Sequence, residues 1–117
     1  MLVQQILSSK ASEGVMTVKP GTLVRDAAQI LADKRIGTVV ISANGDTADG
    51  ILSERDIVRE LAAHGAKCLG EKVDDFMTSK LVTCTRADSA DAVLQQMTDG
   101  RFRHMPVVED GKMLGLI

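Results

Sequence analysis

Val24-Arg25-Asp26-Ala27-Ala28-Gln29-Ile30-Leu31 and Ala90-Asp91-Ala92-Val93-Leu94-Gln95-Gln96-Met97 carry one pattern twice. Val24, Ala27, Ala28 and Leu31 overlay Ala90, Val93, Leu94 and Met97 at a constant offset of 66 positions. Each set has the i, i+3, i+4, i+7 spacing of a single buried helix face. Outward from these helices the same offset pairs Thr17 with Thr83, Thr22 with Asp88, Thr38 with His104 and Val40 with Pro106. A one-residue slip in the next loop then pairs Gly50 with Gly115 and Ile51 with Leu116. Chance can match one helix register of small apolar residues. It does not place helix, strand, turn and glycine in the same order twice, so the chain contains an internal repeat.

Each copy reads strand, helix, strand, turn, strand. In the first, Val15 to Lys19 is a short strand broken by Pro20-Gly21, and Thr22 is placed to cap a helix that runs to about Lys34. Thr38 to Ser42 is a β-branched, apolar strand, Asn44-Gly45 marks a turn, and Gly50-Ile51-Leu52 begins the return strand. A second helix follows from Ser53 to about Ala63, with Gly65 as its stop. In the second copy Leu81 to Thr85 reads as the strand and Asp88 to Thr98 as the helix. Met105 to Val108 and Met113 to Ile117 flank an Asp110-Gly111 turn. Pro106 has no amide donor, which puts its strand at an edge or its nitrogen at a gap in the ladder. The expected division is residues 1–65, a lead-in with the first copy, and residues 66–117, a linker with the second. The second copy ends at Ile117, before any counterpart of the helix after Ser53.

Composition narrows the function. The 117 residues are 44% apolar but include only two aromatics, both Phe, so the core is built from Val, Ile, Leu, Met and Ala. Copies this small are marginal alone and are expected to bury a common face. A net charge of −2 with both signs mixed gives no basic footprint, and two Phe give no base-stacking platform, which argues against nucleic acid. No apolar run is long enough for a membrane span, and residues 1–10 lack a basic, then apolar, leader pattern. Cys68 and Cys84 have no CxxC spacing, so they read as reduced thiols of a cytoplasmic protein.

Gly50-Ile51-Leu52-Ser53-Glu54-Arg55-Asp56-Ile57-Val58 resembles the end of a CBS repeat, the family named for cystathionine β-synthase. Gly100-Arg101-Phe102-Arg103-His104-Met105-Pro106-Val107-Val108 resembles the middle of another, and Ile6-Leu7-Ser8 and Phe76-Met77-Thr78 resemble the lead-in before each copy. The resemblance covers nearly the whole chain and is nearest to small stand-alone bacterial CBS pairs. It implies an α/β (α+β) fold of two β-α-β-β-α repeats packed through their sheets about a pseudo-twofold axis, the second repeat here lacking its final helix. It also implies a homodimer, an unidentified regulated protein as partner, and an adenosine ligand in a cleft: AMP first, with ADP, ATP, S-adenosylmethionine or NAD as alternatives.

Ser53-Glu54-Arg55-Asp56 has two readings. One is a capping box ahead of an apolar run. The other uses the same geometry: a carboxylate one turn into a helix accepts hydrogen bonds from the vicinal hydroxyls of a ribose, as acidic residues do in dinucleotide folds. The Ser53 hydroxyl and the free first-turn amides then face a phosphate. Arg103 and His104 are phosphate candidates, because a guanidinium holds a phosphate by two hydrogen bonds; otherwise they are a solvated basic pair. Arg55 is a further candidate for the same phosphate. Gly37, Thr38 and Leu81 are candidates for an adenine slot closed by Met77 and Thr78, although Gly37 also suits a simple turn. With no Ser/Thr-x-x-Asp following the last strand of the second copy, one competent cleft per chain is expected.

Two other classes compete. An enzyme would need a nucleophile beside a base, and only Cys84 with His104 is available. No metal-ligand spacing is present. The stronger alternative is a ligand-independent dimerisation or protein-interaction module.

Overall fold

In the computed structural model, which describes residues 1–9 and 15–117, Val24, Ala27 and Leu31 lie buried along one face of α2 (Val24–Lys34). That face packs on a three-stranded sheet. Its strands β1 (Thr17–Val18), β2 (Thr38–Ile41) and β3 (Gly50–Ser53) stand in the order β1-β2-β3, β1 parallel to β2 and β2 antiparallel to β3. Val39, Ile41 and Leu52 are completely buried there, and Ile57 of α3 (Glu54–His64) joins them. This mixed α+β unit spans Met16–Lys80. Gly65 ends α3 at φ 75°, the left-handed region that suits glycine.

The second unit comprises Met1–Val15 and Leu81–Ile117. It holds α1 (Val3–Ser9), α4 (Ala90–Gly100) and the antiparallel pair β4 (Pro106–Glu109) and β5 (Lys112–Leu116). Val3, Cys84, Val93, Met105 and Val107 form its core. Asp110 and Gly111, at φ 52° and 77°, turn β4 into β5; positive φ at both central residues is the signature of a type I′ hairpin.

The units do not follow the expected division at residue 65. The first copy's lead-in belongs to the unit of the second copy, and residues 66–80, with the second lead-in, belong to the unit of the first. Glycine is the local cause. A Cβ at Gly50 would overlap the Met77 thioether, and one at Gly115 would lie 2.7 Å from Leu7 Cδ2. Gly50 and Gly115 are repeat equivalents, so each lead-in packs on the strand glycine of the copy that it does not precede.

Four local expectations change. The strand expected over Leu81 to Thr85 is a single bridge, Cys84 to Val107. In the first copy the Val40 amide donates to the Met16 carbonyl and the Ser42 amide to the Val18 carbonyl, at 3.0 and 2.9 Å. In the second copy the Val108 amide donates to Cys84 at 2.8 Å, but Pro106, at the place of Val40, has no proton to give. The missing donor is the gap expected at Pro106. It removes the bond that would hold Val82, and the strand shrinks to Cys84. The strand expected over Val15 to Lys19 is likewise short, because Thr22 turns back on it: both its amide and its hydroxyl donate to the Lys19 carbonyl, at 3.2 and 2.6 Å.

That use of its hydroxyl means Thr22 does not cap α2. The N-cap is Leu23, without a side-chain bond, and the Val24 amide donates to the Glu71 carbonyl at 2.8 Å. On α4 the cap is Ser89, and the Asp88 carboxylate accepts the Thr85 amide at 2.8 Å. Leu94 faces out at 51% exposure, which leaves Ala90, Val93 and Met97 as the packed stripe. A two-stranded sheet offers that helix a narrower floor.

α2 and α4 end alike, on Arg35 and Arg101, both left-handed at φ 55° and 58°. A side chain with a Cβ is strained there by about 1–2 kcal/mol. Arg35→Gly and Arg101→Gly are each expected to raise the unfolding free energy by roughly 0.5–1 kcal/mol, after the extra freedom that glycine gives the unfolded chain. Urea denaturation measures it, and unchanged or lower stability in both variants would contradict the strain argument.

Candidate functional site

The chain enters α3 directly from β3, so a strand end and a helix start share Ser53. Its extended backbone, at φ −102° and ψ 161°, makes it the N-cap. The Asp56 amide donates to Ser53 Oγ at 3.2 Å, and Asp56 Oδ2 accepts both the Ser53 amide at 2.9 Å and the Ser53 hydroxyl at 3.0 Å. The capping box is therefore complete, and the carboxylate is fixed through one oxygen. The other, Oδ1, is approached by Arg59 Nη1 at 3.4 Å.

Around this box the unit gathers seven of the ten residues expected at the site. Thr38 is the register partner of Ser53, and its hydroxyl donates to the Leu52 carbonyl at 3.1 Å. The Gly37 carbonyl accepts the Glu54 amide at 2.9 Å. Thr78 pairs with Ile51 through two backbone bonds of 2.9 and 3.0 Å, which holds Met77 against Gly50 at the other end of β3. Arg55 is exposed on the first turn of α3, with no ion pair among the described residues. Leu81, Arg103 and His104 belong to the other unit: Arg103 is exposed, and Leu81 and His104 are half-buried.

The structure corrects one part of the expected anion site. The amides of Glu54 and Asp56 are already used, by Gly37 and Ser53, so the first turn is not a row of free donors. It also adds two groups that the sequence reading passed over. The Glu54 carboxylate oxygen lies 3.7 Å from where a Gly37 Cβ would sit, and Arg59 reaches the open oxygen of Asp56. The i, i+3 spacing of Asp56 and Arg59 was the available signal for the second.

In the other unit a groove of about 610 Å³ is lined by Gln4, Gln5, Leu7, Ser8 and Arg86, none of them an expected site residue. Arg86 donates to both oxygens of Glu109, at 3.0 and 2.7 Å, and this pairing holds the Glu109 carboxyl below its usual range. Among the described residues no group of His, Cys, Asp and Glu is arranged to hold a metal ion, and no helix is long and apolar enough to cross a membrane.

The family model for the CBS domain matches residues 3–63 and 73–117. The mitochondrial CBS domain-containing protein CBSX3 of Arabidopsis thaliana is 35% identical over 98 residues, covering 80% of this chain and 48% of that protein. The chain spans about a fifth to a half of the length of the curated relatives it matches first. Among solved structures, the CBS-domain containing protein ATU1752 of Agrobacterium tumefaciens superposes with a TM-score of 0.92 at 37% identity, covering all of this chain and 92% of that one. The CBS domain protein PAE2072 of Pyrobaculum aerophilum, complexed with AMP, superposes at 0.84 over all of this chain and 86% of that one; at 22% identity this is a likeness of fold.

Cys84 bears on the catalytic alternative. It is 4% exposed, and its thiol points at the Pro106 carbonyl, 3.8 Å away. Burial, and then the Asp88 carboxylate, push the thiol pKa up, the opposite of an activated thiolate. A raised folded pKa gives stability that is complete below the unfolded value of about 8.5 and lost as pH climbs through the folded one. Folded protein at neutral pH is expected to leave Cys84 unlabelled by iodoacetamide, with labelling appearing in urea. Stability should fall above about pH 9, and less so in Cys84→Ala. Rapid labelling of native Cys84 would revive the catalytic reading.

Proposed function

The chain belongs to the CBS domain family, and from that premise we propose that it is a regulatory module that binds an adenosine nucleotide at Ser53 and Asp56 and passes the bound state to a partner protein. The observation that carries this reading is the Asp56 carboxylate. The capping box fixes it through Oδ2, and Oδ1 faces the exposed Arg59 guanidinium, which a hydroxyl donor can displace. A vicinal diol needs such a rigid acceptor, and a helix start supplies it with little ordering left to be done. Thr38 and Gly37 beside the box, and Met77 and Thr78 across β3, are the groups we assign to the base. Arg55, exposed on the first turn of α3, is the group of this unit that we assign to phosphate.

AMP is the ligand of first choice, because PAE2072 carries it, with ATP and NAD next. The module has no catalysis of its own in this reading, which the protonated, buried Cys84 supports. Two free, buried cysteines suit a cytoplasmic setting.

One observation favours a second reading, an interaction module that works without ligand. Val58 and Leu61, three residues apart on α3, are 62% and 37% exposed, a face that suits association with a second copy. The two readings part at Asp56. With AMP at about 100 times its dissociation constant, the protein is expected to gain roughly 2.7 kcal/mol, several degrees of thermal shift. Asp56→Ala should weaken AMP roughly 10- to 100-fold by calorimetry. Ser53→Ala, which loses the cap but keeps the carboxylate, should lower stability by about 1 kcal/mol with a smaller change in affinity. AMP binding unchanged by Asp56→Ala, or no shift with any adenosine ligand, would leave the interaction module as the function.

A further inference from the structure

The two oxygens of Asp56 are not equivalent. Oδ2 already accepts the amide and the hydroxyl of Ser53, at 2.9 and 3.0 Å, and these bonds hold the start of α3. Oδ1 has one partner, Arg59 Nη1 at 3.4 Å. The Asp56 side chain is 19% exposed and that of Arg59 66%, so a fixed acceptor is covered by a solvated, easily displaced donor. Ile57, between them, is buried, and its helix turn sets Arg59 over the carboxylate.

Resting on the assignment of Asp56 to a ribose, we propose that Arg59 is an affinity-setting competitor that occupies the acceptor the ligand hydroxyl must take. Its guanidinium N–H stands where a sugar O–H would donate. Binding exchanges one donor for the other, so a ligand hydroxyl gains only the difference between the two bonds. Arg59 acts through Asp56 and makes no demand on the base.

Adenosine is the probe, because it carries no charge of its own. Arg59→Met keeps the length and helix preference of the side chain and removes the donor. Calorimetry should show adenosine binding Arg59→Met about two- to threefold more tightly than wild type, the scale of an exposed i, i+3 pair. Raising salt from about 0.05 to about 0.5 M should tighten adenosine binding to wild type, because screening weakens the competitor, and leave Arg59→Met unchanged. A merely structural Arg59 would not give that salt response. Arg59→Lys should bind between the two. Equal adenosine affinity in wild type and Arg59→Met would overturn the proposal; if AMP is weakened at the same time, Arg59 is a phosphate ligand. If Asp56→Ala leaves AMP binding intact, the ribose assignment itself has failed and the proposal falls with it. Failure confined to Arg59→Met touches Arg59 alone.

Discussion

Each copy of the repeat keeps a glycine in its last strand because a side chain from elsewhere already fills the space a Cβ would need. At Gly50 it is the Met77 thioether, and at Gly115 it is Leu7. Around Gly50 the lead-in is held by two backbone bonds between Ile51 and Thr78, and around Gly115 by the core shared by Leu7, Val3 and Val107. These contacts decide the chain's path. The first unit closes only when residues 76–78 have returned to β3, and the second only when residues 1–9 meet a strand near the other end of the sequence. Closing such long loops is entropically unfavourable, and nothing within a single copy offsets it. The two copies are therefore interlaced through their lead-ins and are not beads on a string.

Interlacing does not make the copies equal. One substitution, Pro106 where the first copy has Val40, removes a single N–H and leaves a two-stranded sheet with one bridge in place of a three-stranded sheet. The narrower sheet covers less of its helix, and Leu94 is left facing solvent. The better-ordered ladder is in the unit that carries Ser53 and Asp56, where rigidity is useful: β2 and β3 fix Thr38 opposite Ser53, and the strand delivers Ser53 extended into its capping position.

Most of this order was legible in the residues. The 66-position offset gave the element sequence, and the i, i+3, i+4, i+7 face named Val24, Ala27, Leu31, Ala90 and Val93 as core. Asn44 was rightly placed in a turn, where its side-chain oxygen accepts the amides of Asp46 and Thr47 at 2.8 and 3.0 Å. What the pattern could not carry was choice of partner. Periodicity reports which face of an element is buried and is silent on which segment buries it, so the exchanged lead-ins were invisible. Thr22 shows the same limit: a threonine before a helix can cap it or close the preceding turn, and the Lys19 carbonyl took its hydroxyl. At the candidate site Ser53-x-x-Asp56 was readable because cap and ligand chemistry use the same two residues. Glu54 and Arg59 were not, since each acquires meaning only from a neighbour, Gly37 or Asp56 Oδ1.

Under the proposed function Asp56 holds a helix start and a ligand at once. A carboxylate that already holds a helix start is in place before any ligand arrives, so a ligand that engages Oδ1 needs only the exposed Arg59 side chain to move aside and adds its hydrogen bonds to an existing frame. For the same reason it exerts little leverage on α3 itself, whose start is already held by Ser53 and Asp56 Oδ2. A ligand shifts an equilibrium only by its differential affinity for the two states. That differential must come from groups whose placement is not fixed by the capping box. In that reading Asp56 anchors the ligand, and the information in the bound state is carried by groups outside the capping box.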